Sequence, residues 1–454
     1  MDSRKALVNE IVNELKKGTN VAMIAPTGWG KTRLAFQVMV ELANMGYKIA
    51  YAVPTLTLAV HKWEELVSFS PPSAILTAGA TQYCTYRWNY PQRHCSRCSL
   101  RKSDDINANI DVPKLVTYFE LNKLVSDNVC AYWVQEMIMN RFNIIIGHYR
   151  RLSKILHHVH FLVADEVQER YLPFIESKPL SEIAELLGVD TVTDVSVIRE
   201  LAEERLIEAD PLREDELYTL LQLLKKTCWI EDGVLYCMEL YDLTHNVPEF
   251  AITATPPPGW PPEGWGRKIV IEPRTKPKAY IEPSADFYYK DGYSGIGLHL
   301  YMIIKWLKQK FGTKCVVIFA TSSVRNILRW NLPQASYEPP KDETQIPPSG
   351  VVIVDAWGRL RVGVDIRYCD AAVLPWPALH ITARRRLKAE GKNPDIAEMI
   401  LSVQHAGRIM RPRPGETYED VLKRRIVVFA AARFWRHKEY LTQYFDIEEL
   451  PTEL

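Results

Sequence analysis

A glycine loop between a short apolar segment and a helix-forming segment constrains this chain most strongly. The apolar segment Val21–Ala25 has the pattern of a strand, and Thr32–Asn44 has the pattern of a helix. The intervening loop can turn its backbone N–H groups toward an anion, and the N-terminus of the following helix favours the same negative charge. Strand, loop and helix in this order predict a phosphate-binding loop.

The residues of this loop have distinct predicted roles. The Lys31 ammonium would reach the terminal phosphates of a nucleotide, and the Thr32 hydroxyl would bind Mg²⁺. Ala25 stands where the strict pattern has glycine, so the match is to the relaxed pattern. The alternative is a glycine-rich turn with a surface lysine. The candidate nucleotide-binding residues are Thr27, Gly28, Trp29, Gly30, Lys31 and Thr32.

Two adjacent acidic residues, Asp165 and Glu166, follow the apolar segment Val159–Ala164. A strand there would place both carboxylates at its carboxyl end, where ligands bind in open α/β sheets. Asp165 would hold Mg²⁺, and Glu166 would orient and deprotonate the attacking water. The alternative is an acidic turn after a buried strand. Together, the loop and the acidic pair predict an ATPase.

Strand and helix patterns alternate in two series along the chain, which predicts an α/β fold with parallel sheets. At 454 residues the chain exceeds the size at which one core keeps growing, so we expect two large domains with insertions. The first series ends with a strand at Glu249–Thr255, and the second begins with a helix at Leu298–Lys310. A Lys/Pro-rich segment, 274–283, is the predicted linker.

Charge is unevenly distributed, although the formal net charge is only +1. Residues 171–245 carry 17 Asp/Glu and 6 Lys/Arg, whereas residues 81–102 carry five Lys/Arg and no acid. Such segregation indicates separate modules with separate partners. The acidic range has a Leu-rich helical pattern with no clear strand before Val234, so we expect a helical insertion.

Four cysteines lie between the glycine loop and the acidic pair, with the spacing C-x10-C-x2-C-x31-C. Iron–sulfur clusters use four thiolates, commonly one close pair with distant partners, whereas structural zinc prefers two close pairs. We therefore predict a 4Fe-4S cluster, and zinc or the absence of a metal are the alternatives. The predicted ligands are Cys84, Cys95, Cys98 and Cys130.

The other four cysteines have apolar surroundings, which predicts buried core residues. The N-terminus lacks the shape of a signal peptide, and no apolar run reaches the roughly 18 residues that a membrane span needs. We therefore expect an intracellular protein without membrane contact, whose cysteines are metal ligands or thiols rather than disulfides. These four cysteines are Cys228, Cys237, Cys315 and Cys369.

Basic and aromatic residues alternate among the first three of the predicted metal ligands. Arginines there would meet phosphates while the rings stack on bases, which suits single-stranded nucleic acid. The alternative is a small domain that uses its aromatic residues as a core and leaves its arginines solvated. The candidate strand contacts are Arg87, Trp88 and Arg93.

A basic segment in the second series, QHAGRIMR, contains the candidate catalytic residues Gln404, Arg408 and Arg411. Residues three and four apart share one face of a helix, and a helix is predicted for Asp395–Met410. Arginines supplied from a second domain can neutralise the charge that develops on a γ-phosphoryl group. The alternative is a solvated basic helix face.

Eight segments of the chain, in this order, resemble the motifs of superfamily 2 helicases. Together with the four interposed cysteines, they resemble the XPD/DinG branch of iron–sulfur helicases, and the archaeal XPD pattern most closely. The resemblance runs from about residue 5 to about residue 440. The segments are APTGWGKT, VPTLTL, IIIGHYRRL, VADEVQ, ITATP, VVIFATSS, GRLRVGVDI and QHAGRIMR.

The resemblance implies two RecA-like motor domains, the first interrupted by an iron–sulfur domain and a helical arch-like insertion. ATP would be hydrolysed between the motor domains, with Asp365 contributed by the second. The implied strand contacts are Pro54, Thr55, His148, Tyr149, Thr321 and Ser322. The implied ranges are 1–80, 133–169 and 246–275 for the first motor domain, 81–132 for the cluster domain, 170–245 for the arch-like insertion and 276–454 for the second motor domain.

Three residues depart from the family's motifs. Gln168 replaces a histidine, Val362 replaces a glutamate, and Ala431 replaces an aspartate. The arch-like segment is also short. An abridged motor is therefore expected.

The resemblance implies a monomeric motor that uses ATP, Mg²⁺ and the cluster to move 5′→3′ on single-stranded or forked DNA. The first alternative is an ATPase that remodels or translocates on nucleic acid without unwinding. The Gln168 departure and the short arch favour this alternative. The second is a metal-stabilised nucleic-acid-binding protein with an inactive ATP site. The intact Lys31, Asp165, Glu166 and Arg411 speak against it.

The cysteine pattern gives a testable prediction about metal content. Anaerobically purified protein should contain about four irons per chain and show a broad visible absorbance. Replacing Cys98 or Cys130 with serine should bleach this absorbance because each supplies one of four thiolates. Cys228→Ser, outside the quartet, is the matched control and should retain the iron. Elemental analysis that finds about one zinc and no iron would contradict the prediction.

Overall fold

The computed structural model describes most of the chain in two compact units. The described residues are 2–26, 29–83, 111–125, 129–152, 156–208, 211–231, 233–240, 245–272, 275–283, 293–337, 345–346, 350–356, 366–379 and 381–451. The first unit comprises residues 1–22, 32–252 and 265–267, and the second comprises residues 23–31, 253–264 and 268–454. The predicted domain boundaries stay a prediction.

The described strands form three sheets. In chain order they are β1 (Asn20–Ile24), β2 (Ile49–Val53), β3 (Ala74–Leu76), β4 (Leu115–Thr117), β5 (Ile144–His148), β6 (Phe161–Asp165), β7 (Pro173–Pro179), β8 (Thr227–Glu231), β9 (Val234–Leu240), β10 (Glu249–Thr253), β11 (Gly266–Val270), β12 (Lys278–Ile281), β13 (Val316–Ala320), β14 (Val351–Asp355), β15 (Ala371–Leu374), β16 (Ile426–Phe429) and β17 (Asp446–Glu449).

The described helices alternate with these strands. In chain order they are α1 (Asp2–Lys16), α2 (Lys31–Asn44), α3 (Leu56–Val67), α4 (Ala80–Tyr83), α5 (Tyr118–Leu124), α6 (Ala131–Ile138), α7 (Tyr149–Leu152), α8 (Leu180–Leu187), α9 (Val195–Glu208), α10 (Pro211–Leu224), α11 (Tyr293–Phe311), α12 (Ser322–Asn331), α13 (Ile381–Ala389), α14 (Pro394–Gly407), α15 (Tyr418–Arg424) and α16 (Lys438–Leu441). None of them combines the length and the apolar composition that a membrane span requires.

The first sheet has eight strands in the order β11-β1-β10-β6-β2-β5-β3-β4. Its strands β10, β6, β2, β5, β3 and β4 pair in parallel. All residues of β2, β6 and β10 are buried, so the sheet is covered on both faces. The predicted parallel α/β architecture is therefore confirmed. The sequence pattern missed β3 and β4, since three residues are too few to show a period; β4 lies within range 81–132, predicted for the cluster domain.

The second sheet has six strands in the order β14-β13-β15-β16-β12-β17, and the pairs with known register are parallel. Its strand β12 lies within the segment 274–283 that was predicted as the linker. Ala279, Tyr280 and Ile281 of β12 are buried between β16 and β17, so the linker prediction is wrong for this part of the segment. Lysine and proline in the flanking sequence had concealed a short apolar strand.

The acidic insertion contains a sheet as well as helices. Strands β7, β9 and β8 form an antiparallel sheet, and α8, α9 and α10 pack on it through a separate apolar cluster. The prediction of helices in this insertion is confirmed by α8, α9 and α10 and is wrong for β7 and β8. The proline at each end of β7 obscured its strand pattern in the sequence.

The buried cysteines form two disulfides, so the prediction that they are thiols is wrong. Cys228 and Cys237 lie opposite each other on β8 and β9 and are joined. Cys315 and Cys369 precede the paired strands β13 and β15 and are also joined. The predicted burial is confirmed for all four. Strand pairing brings each pair together, and the sequence spacing gives no sign of it.

Two glycines of the second unit provide a matched test of packing against β13. Gly350 and Gly312 have nearly the same φ, +63° and +62°, but a Cβ on Gly350 would lie 2.0 Å from the carbonyl oxygen of Lys314. A Cβ on Gly312 would meet no atom within 4 Å. Gly312→Ala should therefore lower the free energy of unfolding by about 1 kcal/mol, from backbone strain alone. Gly350→Ala should lower it by about 2 kcal/mol more, because β13 must move. Urea titration would compare the two, and equal losses would contradict this account.

Candidate functional site

The glycine loop holds its lysine close to the backbone. Gly30 has a φ of +93°, a value that favours glycine, and Lys31 is the first residue of α2. The Lys31 Nζ donates to the carbonyl oxygens of Ala25, at 2.8 Å, and Pro26, at 3.0 Å. The Trp29 N–H donates to the Pro26 carbonyl at 3.3 Å. The predicted strand, loop and helix are present, and Thr27 and Gly28 lie outside the described residues.

Asp165 is held at the carboxyl end of β6 by three neighbouring groups. Its side chain is buried, with 3% exposure. The Tyr51 hydroxyl donates to Oδ2 at 2.7 Å, and the Glu166 N–H donates to Oδ1 at 3.1 Å. The Tyr149 hydroxyl donates to the backbone carbonyl of Asp165. Burial and the Asp165 carboxylate raise the pKa of Tyr51 well above its ordinary value, so Tyr51 stays a donor.

Glu166 leaves the strand in a left-handed conformation, with φ 53° and ψ 51°. A glutamate pays about 1 kcal/mol or more for this region, so the turn must be held by its surroundings. The Gln168 Nε2 donates to Glu166 Oε2, and the Glu169 N–H donates to the Glu166 carbonyl at 3.0 Å. Gln168 itself is fully buried. The backbone of Glu166 thus leaves the extended conformation of β6, and the Gln168 side-chain amide orients the Glu166 carboxylate.

A buried ion pair between Arg170 and Glu249 lies next to this turn. Arg170 makes two hydrogen bonds to Glu249, at 2.6 and 3.2 Å, and His245 lies 3.0 Å from the same carboxylate. Burial opposes ionisation of Glu249, but Arg170 and His245 hold the pKa of its carboxyl below the ordinary value. The Arg170 guanidinium also lies over the Tyr149 ring, 5.3 Å from its centre. The sequence offers one signal of this pair, a glutamate at the start of an otherwise apolar strand.

The strand contacts predicted in the first unit differ in exposure. Tyr149 is fully buried, and its hydroxyl donates to the Asp165 carbonyl. Pro54 is buried as well, and the strand contacts predicted for both residues stay predictions. Thr55 is half-buried, and its hydroxyl accepts from the Leu58 N–H at 3.1 Å as the cap of α3. His148 is half-buried at the end of β5.

Two arginines after Tyr149 connect the site with the acidic insertion and with α6, and sequence reasoning missed them. Arg150 pairs with Glu176 of β7, at 3.3 Å, and with Glu239 of β9. Arg151 pairs with Glu136 of α6, the helix that begins after Cys130. The segment that bonds Asp165 therefore also holds the acidic insertion and the cysteine-bearing segment.

The residues predicted for catalysis in the second unit do not all lie on one helix. Helix α14 ends at Gly407, with Arg408 as its cap, and Arg411 lies beyond it in an exposed bend. The prediction of one continuous helical face is therefore wrong for Arg411, while Gln404 lies within the helix. The Ile366 N–H donates to the Arg408 carbonyl at 2.9 Å. The residue after Asp365 thus lies beside Arg408, and Asp365 itself is outside the described residues.

Thr321 and Ser322 lie where β13 leads into α12. Thr321 occupies the cap position of α12, is half-buried and makes no capping hydrogen bond with its side chain. The side chain of Ser322 lies outside the described part of the structure. Their predicted strand contact stays a prediction.

One group of acidic and histidine side chains in the second unit has the spacing of metal ligands. Ligand atoms of Asp395, Glu398 and His437 lie within 4.8 Å of one another. Arg384 pairs with Asp395 at 2.6 Å and with Glu398 at 2.7 Å, and Arg433 pairs with Glu398 at 2.8 Å. Because the two guanidinium groups already neutralise both carboxylates, the group is a buried ion-pair network rather than a metal site.

Cys130 is the one predicted cluster ligand within the described residues; Cys84, Cys95 and Cys98 lie outside them, as do Arg87, Trp88 and Arg93. Cys130 is half-buried and precedes α6 at the cap position, where its side chain makes no capping hydrogen bond. Burial above all raises the pKa of the Tyr83 hydroxyl, and nearby Cys130 adds to this rise. Tyr83 immediately precedes Cys84 in the sequence, and the ligand set predicted for the cluster stays a prediction.

His148 gives a testable pH dependence. Burial, with the Arg150 charge nearby, lowers the pKa of His148 to about 4. Between pH 6.5 and pH 4 the unfolded chain therefore binds a proton that the folded chain does not, and the free energy of unfolding should fall as pH falls. The contribution of His148 is up to about 3 kcal/mol across this window.

His148→Asn isolates this contribution because its amide oxygen can still accept from the Arg150 N–H, as Nδ1 does at 3.1 Å. Urea titrations at pH 7 and pH 4.5 should show a smaller loss of stability for the variant than for the wild type. Equal losses would mean that His148 is accessible to protons in the folded protein.

Comparison with known proteins agrees with this architecture. Residues 7–88 match the DEAD/DEAH box helicase family. No curated protein sequence matches this chain. A solved XPD helicase is similar over 99% of both chains, with a TM-score of 0.65 and 14% identity. A solved apo XPD is similar over 98% of this chain and all of that one, with a TM-score of 0.59 and 13% identity.

A third solved structure, Xpd4 of S. tokodaii, is similar over 99% of this chain and 100% of its own, with a TM-score of 0.56 and 13% identity. These likenesses span almost the whole chain and include both parallel sheets. The expected resemblance is therefore confirmed at the level of fold: the chain has two RecA-like domains and a fold similar to that of XPD helicases.

Proposed function

We propose that this chain is an ATP-dependent DNA helicase or translocase that moves 5′→3′ along a single strand. The observation that carries the proposal is the turn at Asp165 and Glu166. One carboxylate is fixed at the carboxyl end of a buried strand, and the next is turned outward and oriented by Gln168. A structural acidic turn would not require a strained glutamate held by a buried amide.

The glycine loop and the carboxyl end of β6 would bind the nucleotide and activate water. Lys31 would exchange its carbonyl partners for phosphate oxygens, and Thr32 and Asp165 would hold Mg²⁺. When bound, Mg²⁺ would neutralise charge on the phosphates. The Glu166 carboxylate would accept the proton of the attacking water, and the Gln168 amide would keep it pointed there.

The second unit would supply the groups that respond to the γ-phosphate. We assign this role to Asp365, Gln404, Arg408 and Arg411. An arginine in an exposed bend, as Arg411 is, can reach a developing negative charge because its side chain is in contact with solvent. The hydrogen bond from Ile366 to Arg408 would let the two segments move together.

Strand contacts are proposed on both units. Thr55, His148, Thr321 and Ser322 would contact the strand between motor steps, and Arg87, Trp88 and Arg93 would bind it beside the cluster. A 4Fe-4S cluster held by Cys84, Cys95, Cys98 and Cys130 would stabilise the segment that meets the duplex at a fork. The cluster would have a structural role.

A strand-displacement assay tests this function. With ATP and Mg²⁺, the protein should unwind a duplex that carries a 5′ single-stranded tail and leave a 3′-tailed duplex intact. Single-stranded DNA should stimulate phosphate release. Unwinding of the 3′-tailed duplex would contradict the polarity, and stimulated hydrolysis without displacement would favour an ATPase that only translocates or remodels, the candidate favoured by Gln168 and the short insertion.

Glu166→Gln is the control variant for this assay. It should bind ATP as the wild type does, because Lys31, Thr32 and Asp165 are unchanged. Its turnover should fall about 100-fold or more, since the general base is lost. Turnover at the wild-type rate would show that Glu166 is not the base.

A further inference from the structure

The side-chain ammonium of Lys62 reaches the first turn of α2, the helix that follows the glycine loop. Lys62 is 30 positions away from Thr32 in the sequence. It belongs to the second turn of α3, beside the buried residues Ala59 and Trp63. This placement leaves only 18% of its side chain exposed. A lysine this enclosed normally has a fixed partner, because burying an ammonium without one is costly.

The partner that Lys62 has is a neutral hydroxyl. Its Nζ lies 3.0 Å from Thr32 Oγ1, and since an ammonium can only donate, the hydroxyl oxygen accepts. Glu65 lies 3.7 Å away but is 39% exposed, and such a surface pair contributes little. The positive charge of Lys62 is thus directed at the first turn of α2 rather than cancelled by a buried acid.

The first turn of α2 is already positive. The N-terminus of a helix carries about half a positive charge, and Lys31, the first residue of α2, adds a full positive charge. A second ammonium placed here is unfavourable in the absence of an anion and becomes favourable once an anion binds. Thr32 is the residue whose hydroxyl is next to the terminal phosphates in the proposed function.

We propose that Lys62 is a second phosphate-binding lysine, which transfers from the Thr32 hydroxyl to a β- or γ-phosphate oxygen when a nucleotide binds. The ligand class is a nucleoside di- or triphosphate. This inference rests on the proposed function and adds to it a residue that the motif pattern does not contain. The transfer would also release the Thr32 hydroxyl for Mg²⁺.

Lys62→Gln is the test variant because its amide can still donate to Thr32 while the charge is gone. Affinities for fluorescent ADP and ATP analogues, and for adenosine, would be measured with Mg²⁺ and with EDTA. Lys62→Gln should weaken ADP and ATP binding about tenfold, the scale of one charge-assisted hydrogen bond, and leave adenosine binding unchanged. Lys62→Arg should retain most of the affinity because it keeps the charge.

Lys17→Met is the matched control, since Lys17 also pairs with a glutamate three residues away, at 2.8 Å, but lies 66% exposed. It should bind all three ligands as the wild type does. If Lys62→Gln has the circular dichroism and thermal midpoint of the wild type and binds ATP within twofold of it, the proposal is overturned. If Lys62→Gln is unstable, the Lys62→Arg variant decides, because a tenfold loss there would show that position rather than charge matters.

The outcome for the proposed function is separate. If the wild type binds no ATP, or if Lys31→Ala binds it normally, the glycine loop is not a nucleotide site and the proposed function fails. If the wild type binds ATP and Lys31→Ala does not, the function stands and the Lys62 variants alone decide this inference.

Discussion

The position of one carboxylate, Asp165, is the constraint on which the site depends. Strand β6 is buried on both faces and lies centrally in the first sheet, so its carboxyl end is one of the most rigid points of the unit. Tyr51 of the neighbouring strand β2 fixes the Asp165 side chain, and Tyr149 of helix α7 fixes its carbonyl. Rigid support of this kind allows the next residue, Glu166, to hold a strained conformation in a fixed direction.

The segment after β5 joins this rigid point to the parts of the first unit that interrupt the motor fold. Tyr149 bonds Asp165, Arg150 pairs with the acidic sheet of the insertion, and Arg151 pairs with the helix after Cys130. These are consecutive residues of one short helix, α7. A displacement of the acidic insertion would therefore be transmitted through α7 to Asp165 and to α6. The connection is made by ion pairs between charged groups.

Positive charges in the described residues have two kinds of partner. Near the glycine loop, Lys31 and Lys62 are held by carbonyl and hydroxyl oxygens, neutral acceptors that a phosphate can replace. In the second unit, Arg384 and Arg433 are held by buried carboxylates and are committed to structure. The nature of the partner, neutral or charged, thus separates cations available to a ligand from those that maintain the fold.

The sequence alone determined the two parallel α/β series, the glycine loop, the acidic strand end and the resemblance to XPD helicases, because each is a local pattern of burial or spacing. It missed β7, β12 and both disulfides, whose evidence lies in pairing between distant segments. It also gave no sign that the Tyr149 hydroxyl donates to the Asp165 carbonyl. Only the tertiary structure decided which side chains surround Asp165 and Thr32. The contact between Lys62 and Thr32 joins residues 30 positions apart, and the contact between Tyr51 and Asp165 joins residues 114 positions apart. A local sequence pattern cannot show contacts between segments so far apart.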